Sequence, residues 1–400
     1  MKRNRRSSPS PPSWGSAASP ASRGLPRRRF FLLGASAALL RAQPRKLRLA
    51  VVGGNFGASF FWHLNPGVEV AAVCDLRPDR IERLKKTYNP AARSYIRYED
   101  MLRAGGLDAV AVFTPVPLHA EMTIQALRAG LHVLCAVPVA NTLEDCRRVL
   151  DAVAGSGCTY MMAETSYYRP EVIWAREARQ QGRFGVIFFS EAEYYHQGLH
   201  RLWYDEQGAP TWRLGAPPMH YITHASSMII CVTGERLTQA TATGYGDGRT
   251  ELLKNPYNNN PFMNEVGLFK TSAGHSARIA LFRDIAIGGA ERASWFGAQL
   301  TYRMPQPGGL AGVLGYQNEK MEPFRPPDYF ERLPESLRVP SGHGNSHTFL
   351  AHEFSTAIEQ KRRPSVDIYE ALAYTAPGFA GHQSALQGGV PVQVNDFGRA

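Results

Sequence analysis

Tyrosine and histidine recur together in the second half of this sequence in a pattern suited to moving protons on and off hydroxyl groups. Tyr194 and His196 stand two apart at the end of an alternating run, so on a strand they share a face. Tyr221 and His224 stand three apart, so on a helix they share one too. An imidazole titrates near neutral pH and passes protons both ways. His224 is therefore the first candidate for an acid–base residue, with Tyr221, Tyr194 and His196 behind it. Any one of these side chains more often just closes a hydrogen bond, and it is the set that points to catalysis. Glu164-Thr165-Ser166-Tyr167-Tyr168-Arg169 follows a strand pattern over Thr159 to Ala163, where side chains at a sheet edge face a crevice. Tyr168 and Arg169 suit polyol hydroxyls. So does the pair Trp212-Arg213, whose indole either stacks on a ring or fills the core.

A second chemistry is written near the start. The apolar run Leu47 to Val52 reads as a buried strand and leads into Gly53-Gly54-Asn55-Phe56-Gly57, with a helix expected from about Ala58. Glycines after a strand let the backbone approach a pyrophosphate at a helix N-terminus. The spacing departs from G-x-G-x-x-G/A, because Asn55 takes the second glycine's place when Gly53 is the first. A second strand, Val68 to Cys74, ends in Asp75, placed after Gly57 at close to the spacing of the acid that binds ribose hydroxyls. Asp75 also suits a helix cap near Pro78. A carboxylate there favours NAD, while Arg77 and Arg80 leave NADP open.

These residues need elements to hold them. Strand and helix alternate onward: a strand over Leu107 to Phe113, a helix over His119 to Ala129, a strand over His132 to Cys135 and a helix over Leu143 to Ala154. That is the pattern of a doubly wound parallel sheet. From residue 159 the runs lengthen and alternate, as in Gly185 to Tyr194, Gln239 to Tyr245, Val266 to Thr271 and Ala277 to Phe282, which fits a large, mostly antiparallel sheet. The fold expected is α/β: a dinucleotide-binding Rossmann domain over residues 46–158, then a substrate-binding α+β domain over 159–400. The open sheet leaves room for a homo-oligomer.

The chain has 400 residues and a formal charge of +11, but nine of its 45 Lys and Arg, and none of its 34 Asp and Glu, lie in residues 1–42. The remainder, 36 basic against 34 acidic, is near neutral, which argues against a nucleic-acid partner. Residues 7–26 are rich in Ser, Pro, Ala and Gly, a composition expected to stay disordered. Arg28-Arg29-Phe30-Phe31-Leu32 resembles a twin-arginine export signal, and the apolar run to Leu40 falls short of the roughly 20 residues needed to span a bilayer. A soluble, extracytoplasmic product without a stable membrane anchor is expected. The five cysteines show no metal-ligand spacing, and neither a disulfide framework nor a metal site is expected.

Three segments carry a family resemblance: residues 67–75 (Gly-Val-Glu-Val-Ala-Ala-Val-Cys-Asp), Thr114-Pro115-Val116-Pro117-Leu118-His119, and residues 129–138 ending Cys135-Ala136-Val137-Pro138. With the late Pro364-Ser365-Val366-Asp367 and Ala371-Leu372, the chain resembles the Gfo/Idh/MocA oxidoreductases over nearly its whole mature length. The resemblance implies a tightly bound NAD(P), a small carbohydrate substrate, and a cofactor site that includes Thr114, Pro115, His119, the residue at 137 and Glu164. It also implies that His224 matches the family's catalytic histidine, with His220 in place of an acid. Most members carry Glu-Lys-Pro where this chain has Ala136-Val137-Pro138. The lysine assists hydride transfer from a hydroxyl carbon, and Val137 does neither of its tasks. Tyr194-x-His196 and Tyr221-x-x-His224 are similar to segments of the NAD-dependent α-N-acetylgalactosaminidases, relatives that show Val-Pro here. Three readings follow: an oxidoreductase acting on a sugar, a redox-neutral NAD-dependent glycosidase, or a non-catalytic cofactor- or sugar-binding protein.

Overall fold

The computed structural model describes residues 45–248, 260–286 and 288–399. The leader and its twin-arginine motif lie outside them. Residues 44–400 pack as one compact unit built on two sheets.

The first sheet is parallel and six-stranded. Its strands are β1 (Leu47–Val52), β2 (Val68–Cys74), β3 (Arg93–Tyr95), β4 (Ala109–Val112), β5 (His132–Cys135) and β6 (Tyr160–Met162), in the order β3-β2-β1-β4-β5-β6. Both faces are covered, so the strands are continuous apolar runs; β4 reads Ala-Val-Ala-Val and is buried at every position. The order reverses between β1 and β4, which opens a crevice at their carboxyl ends. The sixth strand lies beyond residue 158, so the expected domain boundary cuts through this sheet.

The helix expected from Ala58 is absent. Two short 3-10 turns, Phe56–Ser59 and Trp62–Leu64, stand in its place, with Phe61 between them in the left-handed region at φ 56°. The cause is packing. Phe60 and Trp62 are wholly buried, and Phe56 and Phe60 lie against Phe113 and His347. A continuous α-helix has a different side-chain period and could not turn all of these rings one way.

The second sheet has nine strands: β7 (Ile187–Tyr195), β8 (Leu237–Tyr245), β9 (Asn264–Thr271), β10 (Ser276–Phe282), β11 (Ala290–Gly297), β12 (Leu300–Arg303), β13 (Val313–Tyr316), β14 (Glu322–Pro323) and β15 (Val392–Gln393). Its order is β14-β13-β12-β11-β7-β10-β9-β8-β15, antiparallel except where β7 lies parallel to β10. Helices Thr223–Thr233 and Ile368–Leu386 cover one face. Asp367 caps the second of these, its Oδ1 accepting the Tyr369 and Glu370 N–H groups at 3.0 and 3.1 Å. A Cβ on Gly378 would stand 2.0 Å from the Met219 carbonyl, so glycine is what lets this helix press against the turn Pro218–Tyr221. The chain then returns to its beginning: within helix Gly342–Glu359, Leu350, Ala351 and Phe354 join the core of the first sheet.

Candidate active site

The site forms where the carboxyl edge of the first sheet meets one end of the second. Glu164 follows β6 and is fully buried. Its Oε1 accepts the Ser166 N–H at 2.9 Å and His224 Nδ1–H at 2.8 Å, while its Oε2 has no partner. The resemblance pointed Glu164 toward the cofactor; the structure sets it on His224. Burial alone would lower the imidazole, but Glu164, and Glu291 beyond it, hold His224 above its ordinary value.

Tyr194 at the end of β7 brings its ring within 4.9 Å of His224, and Tyr221 comes within 5.5 Å. Burial raises both phenols. Glu291 pairs with Tyr194 across β11 and β7, so both point to the same face. Its carboxylate takes Arg169 Nη1 at 3.3 Å and the Ser166 hydroxyl at 2.5 Å. Although burial opposes the charge, Arg169, His224 and Ser166 hold Glu291 at about 2. His196 lies at the margin, 6.0 Å from Tyr194, its imidazole lowered by burial. Trp212 stands 6.4 Å from Tyr221, with Arg213 over its indole. Tyr168 turns away from this group and stacks on Phe349.

Glu291, His343 and Arg283 were not singled out from sequence. A glutamate in a strand and an arginine after one carry no spacing signal, whereas the glycines flanking His343 did mark a turn. His343, Gly344 and Asn345 adopt left-handed φ of 51, 67 and 73° in succession. The turn sets the His343 ring 6.5 Å from that of His224. His347 Nδ1–H donates to the Ser59 carbonyl at 2.8 Å, so its Nε2 accepts His343 Nδ1–H, also at 2.8 Å. Burial lowers both rings, His347 to about 4. The Nε2 of His343 is left with a free lone pair.

The dinucleotide crevice lies beside this cluster. Asp75 Oδ2 accepts the Gly54 N–H at 2.7 Å and Oδ1 the Arg77 N–H at 2.9 Å, which fixes the glycine turn and leaves carboxylate lone pairs for ribose hydroxyls. Gly53, at φ 95°, lies so near Phe113 that a Cβ would meet its carbonyl at 2.4 Å. Asn55 is exposed, Gly57 is buried, and Arg80 follows Asp75 on the helix Pro78–Thr87. Thr114 and Pro115 end the β4 segment, and Val137 is buried beside them. His119 is buried between two acceptors, the Thr114 and Pro138 carbonyls at 2.9 and 2.8 Å, and only an imidazolium donates to both. Burial opposes that charge, yet Cys135 and the two carbonyls lift His119 to about 9. It thus clips two crevice loops together. The donor set and the switch in strand order fit NAD; a long helix N-terminus at the pyrophosphate is what is missing. A separate cavity of about 730 Å³ opens at the opposite strand ends around His132, Thr159 and Tyr369 and contains none of these groups.

Comparison with known proteins agrees with this geometry. Residues 47–164 match the model of an oxidoreductase family with an NAD-binding Rossmann fold. A glycosyl hydrolase family 109 protein of Streptomyces coelicolor is 26% identical over 88% of this chain and 83% of its own length. Another, of Stenotrophomonas maltophilia, is 35% identical over 39% of this chain and 37% of its own. Among solved structures, levoglucosan dehydrogenase in complex with NADH and levoglucosan superposes with a TM-score of 0.73 at 18% identity, over 88% of this chain and 100% of that one. The myo-inositol 2-dehydrogenase of Lactobacillus plantarum gives 0.66 at 19%, over the same shares. Among the described residues no helix is long and apolar enough to cross a membrane, and no three His, Cys, Asp or Glu gather as metal ligands.

Proposed function

We propose, from the match of residues 47–164 to the Gfo/Idh/MocA oxidoreductase family model, that this chain is an NAD-dependent enzyme that exchanges a hydride with a sugar ring carbon in the crevice between its two sheets. The observation that carries the reading is a pair of neighbouring histidines driven apart in proton affinity, the pattern that marks an acid and a base. His224, charged on Glu164, acts as the acid. His343, neutral and with a bare Nε2, acts as the base. Bound NAD supplies the hydride acceptor and donor. Gly53, Gly54 and Asp75 would hold its adenosine end, and Thr114, Pro115 and Val137 would line the way to the other. Val137 is buried and cannot take the part of a lysine, so proton movement falls to the two histidines.

A second reading, redox-neutral cleavage of a glycoside, is favoured by the relatives' name and by Val137. Transient oxidation of a ring hydroxyl would acidify the neighbouring C–H, whose proton His343 would take as His224 protonates the departing oxygen; water would then add across the C=C bond so formed, and the hydride would return to the carbonyl. We further propose export by the twin-arginine route, from Arg28 and Arg29. Outside the cytoplasm no nicotinamide pool is at hand, so a cycle that returns its hydride suits this location.

The experiment incubates the purified mature protein with a panel of aryl glycosides and free sugars, without added nucleotide. It follows aglycone release and reduced nicotinamide absorbance together. Reduction without release supports the oxidoreductase. Release without net reduction supports the glycosidase, and silence in both channels overturns both.

A further inference from the structure

The carboxylates of the site are already taken: Glu164 by His224, Glu291 by Arg169 and Ser166. Glu265, behind the Tyr221 turn, accepts from His382 Nδ1–H and the Met219 N–H. On the aromatic wall two guanidinium groups remain, Arg213 and Arg283, and among the described residues neither has a carboxylate partner. Arg283, just past β10, is only 6% exposed. Of its five N–H donors, the guanidinium's one hydrogen bond is a long one, 3.4 Å to the Ala216 carbonyl. It lies 5.3 Å from the Tyr221 ring, and Arg213 lies 4.5 Å from that of Trp212.

Arg213 bears on Arg283. Burial first, and Arg213 next, push Arg283 down to about 10. Both also act on Tyr194, Tyr221 and His196, and Tyr194 and Tyr221 are the rings that approach His224. Arg283, with Asn141, Trp212 and His220, lines a pocket of about 10 Å³, room for one water-sized oxygen. Burial holds His220 at about 3, neutral, so it adds no further positive charge. Arg213 is only partly buried, and Glu265, the carboxylate that favours the Arg283 charge, is bonded to His382 and the Met219 N–H, so the buried Arg283 fork is left to pair with an oxyanion that a ligand brings.

Resting on the reading of this crevice as a sugar site, we infer that the substrate is an acidic sugar, whose carboxylate, sulfate or phosphate is held by Arg283 together with Arg213 while its ring lies against Trp212. A guanidinium presents its donors in a planar fork that matches such oxyanions, and neutral hydroxyls would leave the buried Arg283 fork without a bonded counter-charge.

The test measures binding to the NAD-saturated protein by calorimetry. Glucuronate, galacturonate and glucose 6-sulfate are compared with glucose and galactose, in the wild type, Arg283→Gln and Arg283→Lys. Melting temperature and NAD binding report that each variant is folded. At least one acidic sugar is expected to bind about ten- to a hundred-fold tighter than its neutral parent. That preference should collapse in Arg283→Gln, persist in part in Arg283→Lys, and shrink with added salt. The carboxylate and sulfate arms identify the anion. Neutral sugars binding as well as acidic ones, no acidic sugar binding at millimolar concentration, or a preference untouched in Arg283→Gln would each overturn the inference. Acidic sugars that bind without reduction or cleavage would instead count against the catalytic reading and leave this one standing.

Discussion

At the scale of single residues, the protonation of His224 depends on one carboxylate. Its folded pKa lies above the unfolded value of about 6.5, so the contact with Glu164 stabilises the fold fully below that pH. The contribution is lost as pH rises through the folded value. In Glu164→Gln the His224 titration, followed by histidine NMR, should move downward, and stability above pH 6 should become flatter. An unshifted titration would remove Glu164 from the proposed acid. Glu291 behaves oppositely: held at about 2, its pairing with Arg169 stabilises above its unfolded value of about 4.3 and is lost on acidification toward 2. Arg169→Gln should therefore move the onset of acid unfolding upward in pH. Asp75 fixes the glycine turn through Gly54 and Arg77. Asp75→Ala should weaken NAD binding roughly ten- to a hundred-fold, and should weaken NADP binding less. Equal losses for both nucleotides would mean that Asp75 is only a structural brace.

At the scale of elements, the turn carrying His220 and Tyr221 is held from behind by helix Ile368–Leu386, and the contact depends on Gly378. A methyl group there meets the Met219 backbone, not the soft end of a side chain, so relief requires the helix or the turn to move. Gly378→Ala should destabilise by about 1–3 kcal/mol in denaturant unfolding. It should also lower kcat more than it weakens NAD binding, because the shift falls on Tyr221 and not on the dinucleotide crevice; equal losses would place the strain elsewhere. Elements of this kind differed in how plainly they were written. The strands of both sheets follow from local runs, since burial on two faces or one imposes its own residue pattern. The turn after Gly57 misled because a glycine-rich loop after a buried strand commonly leads into a helix, whereas Phe113 and His347, the partners that fix Phe56 and Phe60 here, are distant in sequence. The site divides in the same way. Tyr194, Tyr221 and His224 were legible because each pair shares a local period, while Glu291, Arg283 and His343 are brought in by cross-strand register and a left-handed turn that no short window contains.

At the scale of the molecule, the boundary expected after residue 158 marks a change of sequence pattern, and parts of the first sheet and its core lie beyond it. The first sheet takes β6 from beyond it, and one side of its core is closed by Leu350, Ala351 and Phe354. Asn65 ties the same interface together, its Nδ2–H donating to the Ala351 carbonyl at 3.1 Å and the Ser355 hydroxyl at 2.9 Å. That helix begins with the turn that presents His343, and His347 on it bonds to Ser59 beside the glycine loop. Stability of the dinucleotide domain and placement of the proposed base thus share one element. Phe354 is fully buried and packs edge-on to Trp62 at 6.4 Å. Phe354→Ala should cost about 3–5 kcal/mol through the cavity it leaves. The whole of residues 44–400 should still unfold in one transition, with bound NAD lost at the same denaturant concentration as secondary structure. A fragment of residues 46–158 should remain unfolded even with excess NAD, for want of both β6 and the returning helix. Cooperative melting or protected amides in that fragment would show instead that the first sheet needs nothing from the end of the chain, and would separate the fold of the cofactor site from the geometry of His343.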